Sequence, residues 1–396
     1  MRIALTHLSL NFLGGEEYLC LSFIKALKRQ GYHVTLFTLE KTNWEIIRRV
    51  FGDVTLPDAE ACVPHFLIHN KFSNSITPLL SYLIYLKKLA TLVYRRKYDI
   101  VINTYGDVFT SIADLSYVHF PIIATLDYSQ IPAFTSPITW KAYSKAFKTW
   151  DFFVSKIRPS VLLTNSKFTR QVIRDLLKKD ATILHPPVAV KDYLNRNAPR
   201  KNYVITISKF TPKRYLYKIP LIAKKTRNTK FIIAGIVDKY STETFQKLHG
   251  TIKFYGVEDR VLLMPNVPRS TLISLLRNAK VYLHTMPFEH FGISIIEAMA
   301  AGCVPIVHRS GGPWLDILNE QQGAYGFSYE SIEEAAQTIN FIMDREDVWR
   351  KLSEKAQKRA MCYDETIFEK KLNAIIDSFV RINRRLIKSK LNIPLN

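Results

Sequence analysis

The sequence predicts an α/β protein of two tandem Rossmann-like, doubly wound domains, and three observations carry that expectation. Short apolar runs alternate with amphipathic helical patterns along most of the chain, as they do in parallel sheets covered by helices on both faces. The alternation pauses at a polar stretch, roughly residues 189–202, and then starts again. The chain has 396 residues, 47% of them hydrophobic, which exceeds what one core ordinarily holds and is too apolar for disorder. Domains over residues 1–188 and 200–364 are therefore expected. Ligands of such sheets sit beyond the carboxyl ends of the strands, so two of these domains set face to face would share an interdomain cleft.

The first domain opens with RIALTHL as a buried strand. EEYLCLSFIKALKRQ follows as an amphipathic helix with Leu19, Phe23, Ile24 and Leu27 on one face and Gly31 as its stop, and HVTLFTL is the next strand. Gly14 and Gly15 open this βαβ unit. DIVINTY, SVLLTNS and ATILHPP read as further strands, the last closed by a proline pair. In the second domain YVITIS, KFIIAG, RVLLMP, KVYLHT and VPIVHR are each followed by a helical pattern. The tail FEKKLNAIIDSFVRINRRLIKSKL is a long basic helix over roughly 365–390, expected to pack back on the first domain.

Composition narrows the function classes. Cys20, Cys62, Cys303 and Cys362 are scattered, with no C-x-x-C pair and no metal-ligand spacing, so no zinc site is expected and a reducing, intracellular setting fits. MRIALTHLSL enters a strand directly, without the charged start or cleavage site of a signal peptide. The most lipid-like stretch, LLSYLIYLKKLATLVYRR (79–96), is broken by Lys87 and Lys88 well short of the roughly 20 apolar residues needed to span a bilayer. It suits a membrane surface better than a crossing. Fifty-six Lys and Arg against 34 Asp and Glu give a formal net charge of +22, which favours anionic partners: phosphate-bearing substrates, an anionic lipid surface or nucleic acid. RNP-like strands and zinc-finger spacing are absent, so nucleic acid is not expected.

The chemistry concentrates in HTMPFEHFGISIIEAMAAG, where Glu289 falls in a loop after a strand and Glu297 about one turn into the next helix. Each has a plain reading: Glu289 as a solvated loop acid, Glu297 as the acid of a capping box that starts at Ser294. Against these stands Phe291-Gly292-Ile293, which brings backbone N–H groups to a helix N-terminus, an anion site by its orphan donors and dipole. Two acids there repel a bare phosphate, so the fitting ligand offers hydroxyls beside its charge, as a nucleotide sugar does. The basic run ISKFTPKRY (207–215) is either a solvated loop or a phosphate site. Ser310-Gly311-Gly312-Pro313 is either a tight turn before a helix or a place of close backbone approach to the nucleotide. His119 taken alone is a core histidine or a site residue.

The segment LHTMPFEHFGISIIEAMAAGCVPIVHRSGGPWLDIL (283–318) resembles the retaining GT-B glycosyltransferases with an E-x7-E motif, the group 1 family. Within that family it looks most like the dolichol-pathway α-1,2-mannosyltransferases, which extend a lipid-linked oligosaccharide from GDP-mannose. FLGGEEYL (12–19) is similar to the family's Gly-rich first loop, with two glycines where many relatives have three or four. SYVHFP (116–121) is similar to the V-H-Y-P segment and places His119 at the family's active-site histidine. TNSKFTR (164–170) and LHPPV (184–188) match the end of the family's first domain. ISKFTPKRY departs from the pattern: relatives have Arg or Gln followed five positions on by Lys, whereas this chain has Lys209 and Arg214, with Lys213 in place of a common Glu.

The resemblance implies a GT-B fold and a retaining, metal-independent hexosyl transfer without a further cofactor. It implies that Glu289 contacts the donor sugar and Glu297 the ribose. Amides around Gly292 and Ile293, beside Phe291, lie against sugar and phosphate, and Gly14 and Gly15 border the donor. Lys209 and Arg214 neutralise the diphosphate, with Lys213 as the alternative to Arg214, and His119 is expected from the opposite domain. The implied donor is GDP-mannose, with a UDP-hexose next. The acceptor expected is a polyprenyl-linked glycan. TPLLSYLIYLKKLATLVYRRK and SQIPAFTSPITWKAYSKAFKTWDFFVSK (129–156) have the apolar faces, Trp140, Trp150 and lysines of helices resting in a membrane interface, although a buried domain helix fits the first equally. The expectation is a peripheral enzyme on the cytoplasmic face of an anionic membrane, lacking the N-terminal anchor of its relatives. The alternatives are another GT-B transferase using a UDP-hexose on a soluble or glycolipid acceptor, an epimerase or phosphorylase of the same architecture, and a noncatalytic basic membrane- or nucleic-acid-binding protein.

Overall fold

The computed structural model describes residues 1–62, 98–107, 113–124, 145, 148–149, 160–194, 200–238 and 241–390, with side chains up to 382. The lipid-like stretch at 79–96 lies outside the described residues, as does nearly all of 129–156.

The strands are β1 (Arg2–Thr6), β2 (His33–Thr38), β3 (Ala59–Cys62), β4 (Ile100–Asn103), β5 (Leu115–Val118), β6 (Val161–Thr164), β7 (Thr182–Ile183), β8 (Lys201–Ile207), β9 (Lys230–Gly235), β10 (Val261–Pro265), β11 (Ala279–His284), β12 (Val304–His308) and β13 (Phe327–Tyr329). They form a seven-stranded sheet in the order β3-β2-β1-β4-β5-β6-β7 and a six-stranded sheet in the order β10-β9-β8-β11-β12-β13. Both orders turn back at the first strand of the series, the doubly wound pattern, and the neighbours from β3 through β5 and throughout the second sheet pair in parallel. The strands read from apolar runs are present. Those missed, β3, β5 and β13, are short, and β3 (AEAC) is a half-exposed strand with no apolar run to announce it.

By contacts the chain divides into unit 1, Met1–Tyr117 with Trp150–Leu163 and Glu365–Asn396, and unit 2, Val118–Thr149 with Thr164–Asp364. This differs from the expected division at 1–188 and 200–364. The segment before 188 joins unit 2 through its own bonds: the Lys167 N–H donates to both oxygens of Asp316 at 3.0 Å, and the Val188 N–H donates to the Tyr363 carbonyl at 2.9 Å. The expected linker also contains a helical turn, Val190–Tyr193, whose end residues are buried.

In unit 1 the helix Gly15–Arg29 buries the anticipated face, with Leu19, Phe23, Ile24 and Leu27 fully enclosed. Glu17 reaches back to accept the Gly14 N–H at 2.6 Å, and Lys28 and Arg29 close the negative end of the dipole. The helix Glu365–Lys390 belongs to the same unit: the Phe368 ring meets Phe23 edge-on at 5.4 Å, and Tyr18 and Lys25 both reach Glu365, at 2.5 and 2.7 Å.

In unit 2 the period-two alternation of strands divides the core across the sheet. Val204, Phe231, Val281 and Leu283 pack on one face, while Tyr203, Ile205 and Tyr282 pack on the other against Ile295, Ile296 and Met299 of the helix Ile293–Ala300. A sheet buried on both faces leaves its strand ends as the place where polar chemistry is accessible.

Candidate functional site

The order of the second sheet reverses between β8 and β11, and the loops that leave the carboxyl ends of these two neighbours carry most of the expected residues. After β8 come Lys209, Lys213 and Arg214, the last two on a short 3-10 turn, Pro212–Arg214. After β11 come Glu289, Phe291, Gly292 and Ile293.

Glu289 is no solvated loop acid, since only 12% of its side chain is exposed. One of its oxygens pairs with the Arg214 guanidinium and lies 3.3 Å from His284 Nε2; the other accepts the His290 N–H at 3.1 Å. Burial works to raise its carboxyl, but the Arg214 charge, then the His284 hydrogen bond and charge, outweigh it and hold the group well below the usual carboxylate range. Among the described residues Arg214 Nε and His284 Nδ1 are buried without hydrogen-bond partners, so the site holds polar atoms that these residues do not engage. Lys209 and Lys213 are exposed. Arg214 is the cation turned onto Glu289.

Glu297 does not close a capping box. The cap of the helix Ile293–Ala300 is Gly292, in the left-handed region at φ 103°, which makes Ser294 the second helical residue. Ser294 Oγ instead accepts the Tyr282 hydroxyl at 2.8 Å. Glu297 accepts the Tyr193 hydroxyl at 2.6 Å, and the Arg269 guanidinium lies over the Tyr193 ring at 5.9 Å. Burial raises the Glu297 carboxyl above its usual range, with Tyr193 and Arg269 pulling the other way. Tyr193 was illegible in the sequence because it lies in the stretch read as linker.

The glycine pair has a different partner from the one expected. A Cβ on Gly311, at φ 69°, would overlap the Glu289 carbonyl oxygen, and one on Gly312 the His290 carbonyl oxygen; the Gly312 N–H donates to the Glu289 carbonyl at 2.8 Å. The close approach is therefore to the loop that carries Glu289. Ser310 Oγ adds a second tie by accepting the Phe288 N–H at 2.8 Å.

His119 is grouped with unit 2, not with the opposite unit from Glu289. Its carbonyl accepts from Asn165 Nδ2 at 2.7 Å and from the Thr169 hydroxyl at 3.3 Å. The adjoining Phe120 ring stacks on His290 at 3.9 Å and 3°. Burial pushes the His290 imidazole down to about 4, against the pull of Glu289 and with Lys213, Arg214 and His119 reinforcing it. The Phe291 ring points into the core, stacked on His185 at 5.5 Å, so its contribution at the loop is limited to its backbone. His185 is fixed in turn by Asp316 at 2.8 Å. Gly14 and Gly15 lie in unit 1, and the Gly14 N–H is already taken by Glu17. Among the described residues no group of three or more His, Cys, Asp and Glu side chains is placed to hold a metal ion.

Residues 194–359 match the family model described as glycosyl transferases group 1. Among curated proteins, the chain is 27% identical over 310 residues to the GDP-Man:Man(3)GlcNAc(2)-PP-Dol alpha-1,2-mannosyltransferase of Dictyostelium discoideum, covering 72% of this chain and 60% of that protein. It is 30% identical over 264 residues to the protein of the same name from Homo sapiens, covering 58% of this chain and 53% of that one. The chain thus spans between 53% and 60% of the length of these two relatives. Among solved structures, Anabaena HepE in complex with UDP superposes with a TM-score of 0.73 at 16% identity, covering 96% of this chain and all of that one. Sucrose-phosphate synthase from Thermosynechococcus elongatus superposes with a TM-score of 0.71 at 15% identity, covering 96% of this chain and 100% of its own.

Proposed function

Because the chain carries a group 1 glycosyltransferase domain in a GT-B fold, we propose that it transfers a mannosyl group from GDP-mannose to a polyprenyl-linked glycan with retention of configuration. One observation carries the reading: two half-buried carboxylates, Glu289 and Glu297, flank the N-terminus of one helix beside Arg214, and each is held by a different polar partner. A ligand with hydroxyls at both ends and paired phosphates between them matches that pattern.

In this reading Glu289 binds the sugar hydroxyls and Glu297 the ribose. The Gly292 and Ile293 amides meet the phosphates at the positive end of the helix dipole. Arg214 and Lys209 neutralise the diphosphate as the anomeric bond breaks, and Lys213 adds to the positive field. The acceptor hydroxyl attacks the anomeric carbon from the face the diphosphate leaves, and its proton departs on the diphosphate oxygen. His119, near enough to His290 to act on its charge, lines the sugar end. Because the cations and amides act on a charge that develops in the transition state, they lower the barrier without a divalent ion. Glu297 is committed to the nucleotide, so the pair is not the acid and base of a glycosidase.

The names of the curated relatives support a GDP-mannose donor and a dolichol-linked acceptor. The charge of +22 supports residence at an anionic membrane surface on the cytoplasmic side. Among the described residues no helix is long and apolar enough to cross a membrane.

A thermal-shift panel of GDP-, UDP- and ADP-sugars, followed by transfer to a short-chain polyprenyl-diphosphate glycan with and without EDTA, tests the reading. GDP-mannose should stabilise the protein most and transfer should survive chelation. Stabilisation by UDP-hexose alone would reassign the donor, and loss of activity in EDTA would bring in a metal.

A further inference from the structure

We propose that His284 is a positioning residue for the transfer reaction, holding the Glu289 carboxylate in register after the donor's diphosphate has drawn Arg214 away. The proposal rests on the reading of Arg214 as a phosphate ligand. It follows from an asymmetry between the two side chains that share one oxygen of Glu289.

Arg214 is the movable partner. It ends a short 3-10 turn outside the sheet, and its side chain is 29% exposed. A guanidinium prefers a bidentate anion, and a diphosphate offers more charge and more acceptors than a single carboxylate. When Arg214 turns to the phosphates, Glu289 is left as a nearly buried carboxylate without its strongest counter-charge, free to rotate away from the sugar or to take up a proton.

His284 is the fixed partner. It is the last residue of β11, and its side chain is 7% exposed. Its carbonyl is tied to the Tyr329 hydroxyl at 3.1 Å, and Tyr329 is itself fully buried. Among the described residues the ring's polar contact is to Glu289 at 3.3 Å, through Nε2, while Nδ1 is buried without a partner. A core position at a strand end is satisfied at lower free energy by an apolar side chain, so packing does not explain an imidazole with an idle nitrogen. Aiming one N–H at Glu289 does.

The test uses the full chain with His284→Ala, His284→Phe, which refills the space, and His284→Gln, which restores an N–H donor. GDP affinity is measured by calorimetry, and kcat and KM by transfer from GDP-mannose. GDP has no sugar for Glu289 to hold, so its affinity should stay within about twofold in all three variants, while kcat falls about 10- to 100-fold in the Ala and Phe variants and recovers to within about fivefold in the Gln variant. Unchanged kcat in the Phe variant, equal loss of GDP affinity and kcat, or a Gln variant no better than Phe would overturn the proposal. Arg214→Ala in parallel separates the two ideas: undiminished GDP affinity there removes the phosphate reading itself, whatever His284 does.

Discussion

The hydroxyl of Tyr193 donates to the half-buried carboxylate of Glu297 at 2.6 Å, across 104 residues of sequence. Removing that hydroxyl takes a charged acceptor's donor away. Tyr193→Phe should therefore destabilise the protein by about 1.5–3 kcal/mol in urea denaturation, the range for a hydrogen bond to a charged group. An unchanged midpoint would mean that the pair is decorative.

Glu297 also makes stability depend on pH. Burial raises its folded-state carboxyl above the usual 4.5, so the charged form is less favourable in the folded chain than in the unfolded one. The stabilising contribution of the protonated form is present below 4.5 and lost as pH rises through the raised value. Glu297→Gln, which keeps the shape and removes the charge, should thus have a higher Tm than the wild type at pH 7, and the gap should close as pH falls toward 4.5. A gap that is the same at every pH would contradict the assignment.

The two glycines at 311 and 312 serve the loop that carries Glu289. Gly311→Ala meets both a φ of 69° and the Glu289 carbonyl, so it should lose about 1–3 kcal/mol of stability and most of the transfer activity. Gly250, inside the helix Thr242–Phe254 with open space where its Cβ would stand, is the matched control. Gly250→Ala should stabilise by about 0.5–1 kcal/mol and leave activity alone. Similar Tm shifts in the two variants would dismiss the steric argument.

In unit 1 the contacts between the first and last helices rank by burial. Phe368, 3% exposed and packed on Phe23, should lose about 3–5 kcal/mol on change to Ala, whereas Arg29→Ala, breaking an ion pair with Glu369 from a side chain that is 57% exposed, should lose less than about 1 kcal/mol. Denaturation midpoints of the two variants provide the check.

Much of this architecture was legible because buried parallel strands read as continuous apolar runs. VYLH, VPIVH and FIIAG are strands for the same reason that they look like strands. The helix that begins after Gly292 was equally plain, since a glycine followed by a small apolar helix is a local signal. What was hidden depends on the third dimension. Tyr193 sits in a polar stretch and becomes significant only when the chain brings it to Glu297. The glycine pair announces close approach but not to what, and the partner proved to be the backbone of residues 289 and 290. His284 closes a strand whose apolar pattern disguises it, and its idle Nδ1 is visible only in three dimensions. The unit boundary escaped because it is drawn by distant bonds, such as those to Asp316, that leave no mark on composition.

Calorimetric titration of GDP into the wild type, Arg214→Ala and Glu297→Ala most directly tests the claim that the ends of β8 and β11 grip a sugar nucleotide. Binding to the wild type with at least about tenfold weaker affinity in each variant is the predicted result, matching the loss of one charged hydrogen bond. Three superimposable isotherms would place the nucleotide somewhere else.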